Sequence, residues 1–298
     1  ADARHMLSGV LHDSERYDEE IQQLGVLARL DPNDSIVRSM LGYAHLAKGD
    51  FTGAVTELQR YVELEPDSAN GHTSLGDAYR AQGELELAAD EYRAALASDS
   101  AFHVATTNLA VVDALLGRNA DAEKRLRSLV EDQQASPRYR LDAAFELASV
   151  LQSVGRFSDA ESALAALEPE LEAEQVRESM ALAVRGNCLA ELGDMRAARR
   201  LIGRAIARSP GVPTRYLFAR GRLARRLGDL EAARETAAAG AVNALPPEDP
   251  DRTEEKVVAY LEGMAALGDG RAPEAVERLS WAVAAGGYEY SIYRLGLA

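Results

Sequence analysis

The sequence contains one cysteine, Cys188, in 298 residues. An intrachain disulfide and a thiolate zinc cluster are therefore both excluded. Lysine is nearly as scarce: among 33 basic residues only Lys48, Lys124 and Lys256 are lysine, a bias that GC-rich coding explains. Aromatic residues make up 6% of the chain and alanine is abundant, a composition suited to closely packed helices. No apolar run approaches the roughly 18 residues of a membrane span, and no signal peptide is visible. The Gly-rich phosphate loop, the dinucleotide fingerprint and the nucleophile elbow are all missing. His5, His12, His45, His72 and His103 are scattered; His5 and His12 could share a face, but no second ligand pair completes a metal site. The expectation is no metal, no cofactor and no catalysis. A net charge of −15 argues against nucleic acid or an anionic membrane as the main partner.

What the chain does have is a period. Leu41-Gly42, Gly49-Asp50, Ala54 and Leu58 recur 34 residues later as Leu75-Gly76, Gly83-Glu84, Ala88 and Tyr92, and again as Leu109-Ala110, Gly117-Arg118, Ala122 and Leu126. A fixed period of this size means stacked helical hairpins, an all-α solenoid. Each mark has a physical task. The small residue in helix A lets helix B approach, and the glycine between them supplies a left-handed C-cap. Asp50, Asp194 and Asp229 can cap the following helix, and Pro66 stops a helix B. Phased on these marks, the units run 1–34, 35–68, 69–102, 103–140, 141–178, 179–213, 214–255 and 256–288. A terminal cap or truncated repeat occupies 289–298. The first unit has Glu15 in place of its turn glycine and reads as degenerate. An acidic connection, Glu168 to Glu178, separates units 141–178 and 179–213. The chain opens Ala1-Asp2 rather than on methionine and stops just after Ile292, Leu295 and Gly296 begin another helix A. Both ends read as cut from a longer array.

These marks resemble the tetratricopeptide repeat. Residues 35–68 match its motif as Leu41, Gly42, Gly49, Ala54, Leu58 and Pro66, with Arg38 and His45 departing from it at the first and the tyrosine positions. Residues 69–102 match as Leu75, Gly76, Tyr79, Gly83, Ala88 and Tyr92, with His72 and Ser100 departing. The resemblance implies a right-handed superhelix of about eight hairpins. Its concave groove would be lined by the A helices and would hold a peptide, a helix or a partner domain. The groove positions it implies include Ile36, Tyr43 and Leu46, Thr73, Asp77 and Arg80, Val104 and Val111, and Asn187. The family's clamp for a terminal carboxylate is not reproduced: Asn187 sits at a ninth position but its fifth-position neighbour is Ala183.

One groove set differs from the rest. Arg215, Phe218, Arg222 and Arg225 share a helix face, inside a stretch from Arg196 to Arg226 with ten arginines and no acid. Guanidinium forks match carboxylates and phosphates, so the set reads as an anion-binding surface for an acidic peptide, a C-terminal carboxylate or a phosphorylated partner. The competing reading pairs these arginines with local acids such as Glu191, Asp194 and the 168–178 connection. Val257, Tyr260, Met264 and Leu267 form an apolar face that reads first as core. The function expected is a protein-interaction scaffold. A regulatory array of a larger signalling protein and a self-assembling structural protein, associating through terminal helices, remain as alternatives. The cytoplasm is the default compartment, and a processed periplasmic protein would look the same.

Overall fold

The computed structural model describes residues 2–171 and 175–208, with a few positions between 266 and 278. Unit 214–255, most of 256–288, the segment 289–298, and Arg215, Phe218, Arg222, Arg225, Val257, Tyr260, Met264 and Leu267 lie outside the described residues. The chain divides into two compact units, Ala1–Glu146 and Leu147–Ala298.

All elements among the described residues are helices. The first unit holds α1 (Asp2–Asp13), α2 (Tyr17–Leu30), α3 (Ser35–Lys48), α4 (Phe51–Leu64), α5 (Ala69–Gln82), α6 (Leu85–Ser98), α7 (His103–Leu115) and α8 (Asn119–Glu131). Helix α9 (Pro137–Ser153) contributes to both units; the second also holds α10 (Phe157–Ala165), the short α11 (Glu168–Leu171), α12 (Gln175–Glu191) and α13 (Met195–Arg208). In the first unit each helix packs on the next, and α3, α5 and α7 also touch in succession. The A helices therefore line one continuous face there.

The hairpin turns repeat one hydrogen-bond pattern. At Gly49, the glycine N–H donates to Leu46 O and the next N–H, of Asp50, reaches back to His45 O. The same pair of bonds recurs at Gly83, Gly117, Gly155 and Gly193, each with φ between +77° and +90°. This is the Schellman closure, in which a left-handed residue satisfies orphan carbonyls of the preceding helix. Glu15 makes the same two bonds, from its own N–H to His12 O and from Arg16 N–H to Leu11 O, at φ +58°. The first hairpin is thus intact in geometry, with the strain carried by a non-glycine residue.

Close approach of A and B helices explains Gly42 and Gly76. A Cβ on Gly42 would lie 2.4 Å from the Leu58 side chain, and one on Gly76 2.6 Å from the Tyr92 ring. Buried layers alternate along the first unit: Leu24, Val37 and Leu41, then Leu58, Tyr61 and Leu75, then Tyr92, Leu109 and Val112. In the second unit Ile202 and Ala198 of α13 pack on Ala190 of α12. Two of the three expected caps are formed, Asp50 accepting from Gly53 N–H at 3.0 Å and Asp194 from Ala197 N–H at 2.9 Å, and Asp229 lies outside the described residues.

Helices α9 and α12 are 17 residues long and begin four residues ahead of the phased unit starts at 141 and 179. Pro137 opens α9, where the missing N–H costs nothing. The acidic stretch 168–178 is likewise no bare connection: its first residues form α11 and its last form the first turn of α12.

Candidate functional site

On the A-helix face of the first unit, the positions the repeat pattern leaves free fall into three kinds. Ile36, Tyr43, Asn70, Arg80 and Val104 are exposed, Ile36 to 64% and Tyr43 to 40%. Thr107 and Val111 are half-buried. Thr73 is buried and donates to Ala69 O, while Leu46 packs into the layer with Leu58 and Leu75. The last two are scaffold residues rather than available contacts.

Asp77 is the polar centre of this face. Its Oδ1 accepts from Tyr92 Oη at 2.7 Å and from Asn108 Nδ2 at 3.0 Å, and Arg80 Nη2 lies 3.7 Å away. Three helices, α5, α6 and α7, are tied together at one oxygen. Burial pushes the Asp77 carboxyl above its usual range, with the Tyr92 hydrogen bond and Arg80 pulling the other way. The Tyr92 hydroxyl is pushed up as well, first by burial and then by the neighbouring carboxylate. Tyr43 reaches across to hydrogen-bond Ser74. Sequence reasoning placed Asp77 on the groove but missed it as a hub. The available signal was Tyr92 at a position that holds leucine in neighbouring units: a buried hydroxyl needs a partner.

Three of the histidines are tied to carboxylates, while His103 lies against the Tyr139 ring. His12 meets Glu20 at 3.0 Å, His45 meets Asp50 at 2.8 Å and His72 meets Glu91 at 2.7 Å. Among the described residues no three His, Cys, Asp or Glu side chains gather as a metal site, and no helix is long and apolar enough to cross a membrane. A pocket of about 500 Å³ opens between the end of α6, the start of α7 and α8. Its lining mixes Lys124 and Arg125 with Asp121 and Asp132, so it favours no single ligand charge.

In the second unit, Asn187 of α12 is half-buried. Its neighbour Cys188 is fully buried, accepts from Gln152 Nε2 at 3.0 Å, and is pushed up to about 11, chiefly by burial. This is a packed thiol. Five arginines of the basic stretch belong to α13. Arg204 and Arg208 follow the local-pairing reading: Arg208 lies 3.3 Å from Glu178, and Arg204 lies 3.6 Å from Glu168 and 3.9 Å from Glu178. Arg196, Arg199 and Arg200 are exposed and make no ion pair among the described residues.

A sequence model of the family described as "Tetratricopeptide repeat" matches residues 39–101, 145–213 and 183–251, more than half of the chain. A type IV pilus assembly protein of Pseudomonas aeruginosa, PilF, is 38% identical over 72 residues, which are 24% of this chain and 28% of that protein. A protein O-mannosyl-transferase of Caenorhabditis elegans is 35% identical over 78 residues, 26% of this chain and 11% of the transferase. The chain thus spans under a third of either curated relative. Among solved structures, that of the Pseudomonas aeruginosa PilF superposes with a TM-score of 0.56 at 24% identity, covering 74% of this chain and 95% of that one. A tetratricopeptide repeat protein from Parabacteroides merdae reaches 0.63 at 15% identity, covering 86% and 96%. At such identities the likeness is one of fold.

Proposed function

The chain belongs to the tetratricopeptide repeat family, and on that premise we propose that it works as a non-catalytic interaction scaffold, holding a peptide or partner domain against its A helices. The observation that carries this reading is the face built from α3, α5 and α7. It offers exposed apolar side chains, Ile36, Tyr43 and Val104, on the same three helices as the hydrogen-bonded Asp77–Asn108 pair and its neighbour Arg80. Apolar anchors supply binding energy and fixed polar groups supply register. Asn187, on α12 of the second unit, is proposed as a separate contact. Arg215, Phe218, Arg222 and Arg225 are proposed to meet an anionic part of the partner. The local likeness to a type IV pilus assembly protein favours a partner from a multi-protein assembly.

The test is comparative capture from native lysate with the parent chain, a Tyr43→Ala/Arg80→Glu variant and an Arg222→Glu variant. A partner held by the parent and lost by either variant, with helicity and melting unchanged, supports the assignment. Equal capture by all three overturns it.

A further inference from the structure

We propose that the outer face of α13 is a second docking surface, specific for an acid-rich protein segment, carried by Arg196, Arg199 and Arg200. It rests on the scaffold reading but not on the A-helix face. Helix α13 buries Ala198, Ile202 and Ala205 against α12. The three arginines stand on the exposed side at spacings of three and four, which places them together on the helix surface.

Their presence works against the helix they stand on. Arg196 lies in the first turn of α13, which holds no acidic residue. The B helices α2, α6, α8 and α10 carry acids in that turn, Asp18, Glu19 and Glu20 in α2, then Glu86, Asp121 and Asp159, whereas α4, like α13, has only the aspartate that caps it, Asp50 as Asp194 does here. Cations at a helix N-terminus oppose its dipole, and Arg196 and Arg200 repel each other one turn apart. The same helix satisfies Arg204 and Arg208 with Glu168 and Glu178, so neutralising acids are close by and are not spent on the first three. An arrangement that weakens its own helix and lacks an internal partner is explained by an external anion. Guanidinium forks suit carboxylates. The net charge of −15 repels a dense polyanion such as nucleic acid at long range, whereas a short acidic segment needs only the local patch.

The experiment is fluorescence anisotropy of a fluorescein-labelled oligoglutamate peptide titrated with the full chain over a salt series. The parent binds with an affinity that falls as salt rises. Arg196→Glu/Arg199→Glu/Arg200→Glu weakens binding roughly tenfold or more, while its melting temperature stays level or rises because an acid now occupies the first turn at position 196. Should charge reversal prevent folding, the corresponding triple Gln variant gives the same ordering. Tyr43→Ala keeps parental peptide affinity. Unchanged affinity in the arginine variants overturns the proposal, and so does a fall in melting temperature of the Gln variant, which marks a structural role. Loss of the peptide by Tyr43→Ala alone moves the acid site to the A helices and overturns it. Tighter binding of an equally charged oligonucleotide overturns the choice of a protein segment. Salt-sensitive self-association that the arginine variants abolish assigns the face to a second copy of the chain, and overturns it as well.

Discussion

At the scale of single residues, the same local geometry is reached at different cost. Glu15 takes the left-handed conformation that glycine takes at the other five described hairpin turns. Glu15→Gly is expected to raise stability by about 0.5–1 kcal/mol, because the steric strain relieved outweighs the added freedom of the unfolded chain. A urea melt that shows no gain removes the strain argument. Asp77 carries a pH consequence. Its folded-state pKa is raised, first by burial. The stability it contributes is therefore full below the ordinary carboxylate range and declines as pH rises through the folded value. Asp77→Asn keeps an acceptor for Tyr92 and removes the charge. Its stability relative to the parent should improve as pH rises above the ordinary carboxylate range of roughly 4; a difference that stays constant with rising pH contradicts the assignment. Asp50 runs the other way, lowered first by the Gly53 N–H bond, so its contribution is present at neutral pH and lost on acidification. Asp50→Ala should cost about 1 kcal/mol at neutral pH through the lost cap. Of these residues Asp50 was legible from its place after a turn glycine. Glu15 was read as a defect, because sequence shows the missing glycine but not the hydrogen bonds that survive it. The Asp77 hub was hidden, since its partners Tyr92 and Asn108 are distant in sequence and meet only when three helices stack.

At the scale of helices, two glycines in equivalent-looking runs predict opposite effects. Gly76→Ala forces a methyl group to 2.6 Å from the Tyr92 ring and should cost about 1–3 kcal/mol as α5 and α6 are pushed apart. Gly203→Ala meets nothing within 4 Å on the exposed side of α13 and should stabilise by about 0.5–1 kcal/mol through helix propensity. Chemical denaturation of both variants decides the pair; equal signs would show that the A–B contact does not set helix spacing. The positions of α3, α5 and α7 follow the phased marks closely because Leu-Gly and Gly are fixed by packing and turn geometry. The fate of the arginines was not legible. Arg199 and Arg200 look like Arg204 and Arg208 in sequence, and only the return of Glu168 and Glu178 against α13 separates paired from unpaired side chains.

At the scale of the whole molecule, stability is a sum of neighbour contacts rather than the property of one core. The two compact units need not unfold together. Trp281, the single tryptophan, belongs to the second. Urea transitions followed by its fluorescence and by far-UV circular dichroism are therefore expected to have different midpoints; coincident curves would mean that the chain unfolds as one cooperative body. The repeated turn also determines where the chain tolerates change. Its left-handed residue falls at 15, 49, 83 and 117, then at 155 and 193, and the spacing lengthens from 34 to 38 residues without altering the turn itself. The added residues entered between a B helix and the next A helix, at the start of α9 and around α11. A tag, a protease site or a whole inserted module should therefore be accepted at 133–134, where both side chains are exposed, and should break the fold at 49–50 or 83–84. One edge of the array is open to splicing and the other is closed.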